Sequence, residues 1–135
     1  MLSKSYRSVP ANTTAHAPDW QKLQVTRGVI KQWVIFFDPE AANLLHISIE
    51  YHGSRILPFS GDRWLTGFFS STPFEDNIAI PDPPYVLDIY AYNEDDTFPH
   101  EYYIHPIIIT EEPVEVTAIS EGILAKIKSV IPGWS

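Results

Sequence analysis

The chain has 135 residues, 44% of them apolar and 13% aromatic, with 12 prolines and no cysteine. One domain of this length has enough apolar material for a core, which excludes a fully disordered chain, and the lack of cysteine excludes disulfides and thiolate metal sites. The net charge of −8 disfavours nucleic acid as a partner, because phosphate binding needs Lys and Arg gathered on one face.

The charge is laid out in three parts. Residues 1–31 carry Lys4, Arg7, Lys22, Arg27 and Lys31 against Asp19, a net +4. Residues 32–125 carry Arg55 and Arg63 against 16 carboxylates, a net −14, and Lys126 and Lys128 follow. Ends of one sign around a body of the other suit a subunit whose tails lie on its neighbours.

Residues 1–22 are expected to form an extended N-terminal arm. Ser, Thr, Ala, Asn and Pro dominate there, with Pro10 and Pro18 as breakers and no helical or strand period. The first seven residues lack the apolar stretch of a secretory signal, so none is expected.

Residues 23–112 are expected to be the body. Residues 25–37 form its strongest strand, with apolar residues on both parities toward the end, as in a strand covered on two sides. Residues 44–51 alternate, Leu45, Ile47, Ile49 and Tyr51 against His46, Ser48 and Glu50, which predicts a half-exposed strand. His52-Gly53-Ser54 is a turn, and Arg55-Ile56-Leu57 returns. Further strands are predicted at residues 74–80, 85–92 and 101–109, with Pro106 implying an edge, bulge or break. Turns every ~8–12 residues predict an all-β antiparallel β-sandwich, jelly-roll or Ig-like.

Residues 113–135 are expected to be a linker and an amphipathic helix. Ser120 can cap it, and Ile123, Leu124, Ile127, Val130 and Ile131 make one stripe before Pro132-Gly133 stops it. Burying five such side chains represents ~8–15 kcal/mol gross. The stripe packs either on its own sandwich or on a neighbouring subunit.

The chemistry-bearing clusters are sparse. In the acidic loop at residues 93–97, Asn93, Asp95 and Asp96 are the only metal candidates, and they lack EF-hand spacing and its central Gly. The five histidines form no ligand pair of the usual spacing. No Gly-x-Ser-x-Gly elbow or glycine-rich phosphate loop is present. A small hydrolase would need two carboxyl groups converging in a cleft. Trp64, Tyr90 and Tyr92 are the candidate flat rings for a sugar, against the alternative that aromatics fill the core or an interface.

Residues 25–39 (VTRGVIKQWVIFFDP), with residues 90–100 (YAYNEDDTFPH), look like small β-sandwich structural proteins of tailed bacteriophage virions. The resemblance covers roughly residues 25–110. It implies a capsid decoration, vertex or tail-connecting subunit, and it implies no catalytic residue and no cofactor.

The leading expectation is a non-enzymatic virion structural protein, made in the host cytoplasm and assembling through its terminal segments. The expected interface residues are Tyr6, Arg7 and Trp20, with Leu124, Ile127, Ile131 and Trp134. Its partners would be other copies of itself, as a homo-oligomer, and neighbouring virion proteins, with no nucleic acid and no membrane. The alternative is a carbohydrate-binding β-sandwich module.

Overall fold

The computed structural model describes residues 4–58, 64–66 and 73–110. The expected C-terminal helix, including Leu124, Ile127, Ile131 and Trp134, lies outside the described residues. Among those residues there is no helix, hence none long and apolar enough to cross a membrane.

The described residues form nine strands in order: β1 (Ser5–Val9), β2 (Asp19–Gln24), β3 (Gly28–Phe37), β4 (Leu45–Tyr51), β5 (Ser54–Leu57), β6 (Leu65–Thr66), β7 (Phe74–Ile80), β8 (Val86–Asn93) and β9 (His100–Ile109). They form two antiparallel sheets packed face to face. One has the order β1-β9-β3-β7, and the other β2-β8-β4-β5, with β6 also on β4.

Much of this order follows from one long hairpin. Its tip is His52-Gly53, with φ of 51° and 80°, the two left-handed residues that a two-residue turn between twisted strands requires. Outward from the tip, β4 pairs β5, β3 pairs β7, β2 pairs β8 and β1 pairs β9. The paired ribbon then rolls until β3 meets β9 and β4 meets β8.

The period-two strands put their apolar parity between the sheets. Leu45, Ile47 and Ile49 of β4 and Leu87, Ile89 and Ala91 of β8 are fully buried. They face Val9, Ile30, Trp33, Ile35, Phe37, Tyr102 and Ile104 from the first sheet. Trp33 satisfies its indole N–H by donating to Asp76 Oδ2 at 2.9 Å, as a buried Trp must.

Within the segment expected to be an arm, the described residues include two strands. Residues 5–9 are β1, and β2 begins at Asp19, so this segment supplies an edge strand to each sheet. Its alternation is short and interrupted by polar side chains, and its pairing comes from distant residues, such as Ile104 for Ser5 and Val86 for Gln24, which no local period records.

β3, expected to be covered on both faces toward its end, does not keep one parity inside. A bulge between Ile30 and Gln32 shifts the register against both neighbours. Ile30 is inside, Lys31 is exposed, and Trp33, Ile35 and Phe37 then take the inner side. The opposite parity, Val34 and Phe36, is only half-buried, across from His105 and Tyr103 of β9. Pro106 lies beyond Ile104, the last β9 residue paired with β1. It therefore interrupts no ladder on that side.

Candidate functional site

The outer face of the second sheet carries the densest group of polar and aromatic side chains. The outward parity of β4 carries His46, Ser48 and Glu50, and that of β8 carries Asp88, Tyr90 and Tyr92; Ser48 is buried and the others are half-buried. Register turns these into rows: Trp20 beside Tyr90 beside Ser48, and Lys22 beside Asp88 beside Glu50 beside Arg55. Residues Ala15 and Pro18, ahead of β2, and Trp64, ahead of β6, complete a concavity of about 230 Å³ with Ser48, Glu50, Arg55 and Tyr90.

One wall of this concavity is held by stacked rings. Trp64 meets Tyr92 edge-on at 4.7 Å between centroids, and Tyr92 stacks on His46 at 4.3 Å with planes 5° apart. His46 Nε2 lies 2.6 Å from Glu94 Oε1. Such contacts fix ring orientation before any ligand arrives. Burial raises the pKa of Tyr90, with Glu50 and Asp88 adding to it, so its hydroxyl keeps its proton and can donate. Burial and then Glu94 do the same for Tyr92.

Arg55 is the exceptional member. Its Nε is buried and has no hydrogen-bond partner among the described residues, although buried polar atoms in native proteins nearly always have one. The concavity is thus lined by a guanidinium, a carboxylate, two hydroxyl side chains and an indole ring.

All three residues read from the sequence as possible sugar contacts fall in this region. Trp64 and Tyr90 line the concavity, and Tyr92 supports Trp64 from behind while lining a second concavity of about 370 Å³. Arg55, Glu50 and Ser48 went unassigned. The signal for them was present: a two-residue turn at His52-Gly53 sets Glu50 opposite Arg55, and Ser48 shares Glu50's face.

The expected interface residues of the N-terminal segment divide. Tyr6 and Trp20 are 65% and 51% exposed, on β1 and β2 respectively. Arg7 is engaged within the chain: its Nε and Nη2 donate to Asp19 Oδ2 at 2.6 Å and Oδ1 at 3.0 Å. Ser5 Oγ donates to Gln21 Oε1 at 2.9 Å. These bonds lay β1 beside β2, so two edge strands form one flank of the sandwich.

The acidic loop proves to be a structural corner. Asn93 is fully buried. Its Nδ2 donates to the carbonyls of Val9 and Phe98, and its Oδ1 accepts from the Asp95 N–H. Asp95 accepts the backbone N–H groups of Thr97 and Phe98 and binds His100 Nε2 at 2.8 Å. Asp96 accepts from the Thr97 hydroxyl. These metal candidates are therefore committed to local bonds, and among the described residues no group of three or more His, Asp or Glu side chains is arranged to hold a metal ion.

Comparison of the chain with protein-family models, with curated proteins and with solved structures finds no match.

Proposed function

We propose that this chain is a non-enzymatic jelly-roll subunit of a phage-like virion, assembling side by side with copies of itself or with other particle proteins. The observation that carries the reading is the nested strand order. A hairpin paired 4–5, 3–7, 2–8 and 1–9 and rolled into sheets 1-9-3-7 and 2-8-4-5 supports a jelly-roll reading over an Ig-like one. Viral capsid proteins use that architecture, as do lectins, and the choice among its hosts must come from surfaces rather than fold.

The surface that favours assembly is the β1/β2 flank. Both strands are sheet edges with no further strand beyond them among the described residues. An open edge offers unpaired backbone donors and acceptors to another chain. Tyr6 and Trp20 stand on it largely exposed, and aromatic side chains of this kind anchor interfaces. Arg7–Asp19 fixes the two edges relative to each other, so the flank meets a neighbour as a preformed surface.

Light scattering and electron microscopy of the full-length protein test this. Closed oligomers or particles are expected for the wild type, and the double variant Tyr6→Ala/Trp20→Ala should stay folded by circular dichroism while losing them. A wild type that is monomeric at every concentration, with no particle protein retaining it, contradicts the reading.

A further inference from the structure

We propose that the concavity over β8, β4 and β5 is a binding site for a neutral hexopyranose sugar, so that the subunit also holds a glycan. The argument begins with Arg55. Its side chain lines the concavity, and its enclosed Nε–H has no acceptor among the described residues. A small turn of the guanidinium toward a ligand oxygen in the concavity would complete its bonding.

The remaining chemistry narrows the ligand. Glu50, the cross-strand partner of Arg55, supplies only acceptors, while Ser48 and Tyr90 supply hydroxyls that both donate and accept. A sugar hydroxyl does both as well, accepting from Arg55 while donating to Glu50. The Trp64 ring forms an apolar wall suited to the C–H face of a pyranose, and its edge-on contact with Tyr92 holds it in place. An acidic sugar would bring its carboxylate to Glu50 and Asp88 in a body of net −14, where like charges repel.

Size agrees. About 230 Å³ is below the ~300–1,000 Å³ of clefts for drug-sized ligands and fits one ring. The neighbouring concavity of about 370 Å³ shares Ala15 with the first and is lined by Tyr92 and Glu94, which leaves space for a second residue of the glycan. This site lies on the sheet's outer face and adjoins the assembly flank, where Trp20 sits beside Tyr90.

The test is titration of the full-length protein with glucose, galactose, mannose, N-acetylglucosamine, lactose and cellobiose, and separately with glucuronic and sialic acids. Tryptophan fluorescence and ligand-observed NMR report binding. Saturable binding of at least one neutral sugar is expected. It should weaken about tenfold or more in Arg55→Gln and in Trp64→Ala, as loss of a charge-assisted bond or a stacking wall requires, and stay unchanged in Tyr6→Ala. If Trp64→Ala does not fold, Arg55→Gln and Glu50→Gln decide. The proposal is overturned if none of the neutral sugars saturates, if only the acidic sugars bind, or if binding survives both Arg55→Gln and Glu50→Gln. None of these outcomes bears on assembly, which is read by particle mass.

Discussion

His100 shows how single residues hold one corner of the molecule. It is 3% exposed and lies between two carboxylates, Nδ1 3.0 Å from Asp38 Oδ2 and Nε2 2.8 Å from Asp95 Oδ2. Burial alone would disfavour its charged form, but the bonds to Asp95 and Asp38 outweigh that and raise its pKa above the ordinary 6.5. Burial likewise works against the Asp38 carboxylate, yet the N–H groups of Glu101 and Glu40, together with His100, lower its pKa below 3.8. Asp95 is lowered by the Thr97 N–H, then by His100 and the Phe98 N–H.

The pH consequence has a definite sign. The raised His100 contributes fully below its unfolded value of 6.5, and this stability fades as pH climbs through the higher folded value. The lowered aspartates contribute above 3.8 and lose that stability as pH falls through their folded values. Stability should therefore be greatest between these limits. His100→Gln should cost about 2–3 kcal/mol near pH 6, the scale of hydrogen bonds to charged groups, and should remove the alkaline decline. Urea unfolding of both proteins from pH 4 to 9 checks this, and an identical alkaline decline in the variant would assign it elsewhere. Asp95 lies five residues from His100, but Asp38 is 62 residues away, so the pair of carboxylates around it is not legible locally. Asn93, by contrast, was visible as a loop residue, but not as a buried one.

Among the elements, the strands with clean alternation were readable and those depending on distant partners were not. The strands at β4, β7, β8 and β9 follow from period and turn chemistry, with bounds shifted by a residue or so. β1 and β2 are short, polar-rich and stabilised by strands near the other end of the described body. The bulge at Lys31 was hidden because both parities of β3 are apolar near its end. Of the proposed sugar site, the aromatic members stood out in the sequence. Arg55 did not, since an unmet donor is a property of packing.

This placement of β1 changes what truncation does. Val9 is fully buried, Arg7 ties β1 to β2, and the open side of β9 would follow if β1 were removed. Deleting residues 1–10 should destabilise the fold by at least about 3 kcal/mol, from apolar burial of one side chain plus the lost ion pair and ladder. Thermal melts of the truncated and full-length chains measure this. Unchanged stability would show that β1 is an appendage and not part of the sheet.

At the scale of the whole molecule, the proposed partners would meet the chain on two adjoining regions. One flank carries two adjoining edge strands with Tyr6 and Trp20, and the outer face of the second sheet carries the Arg55 concavity. The basic residues gather toward the N-terminal part, and the body is acidic, so charge would favour the proposed contact between the flank of one copy and the body of another. Such a contact weakens as salt screens it.

Hydrogen–deuterium exchange in dilute and assembled protein tests the central claim most directly, because it reads the edge amides themselves. Assembly through the flank predicts added protection concentrated in residues 5–9 and 19–24, with little change in the buried amides of β4 and β8. Assembly that leaves both edges exchanging as fast as in the dilute protein would contradict it.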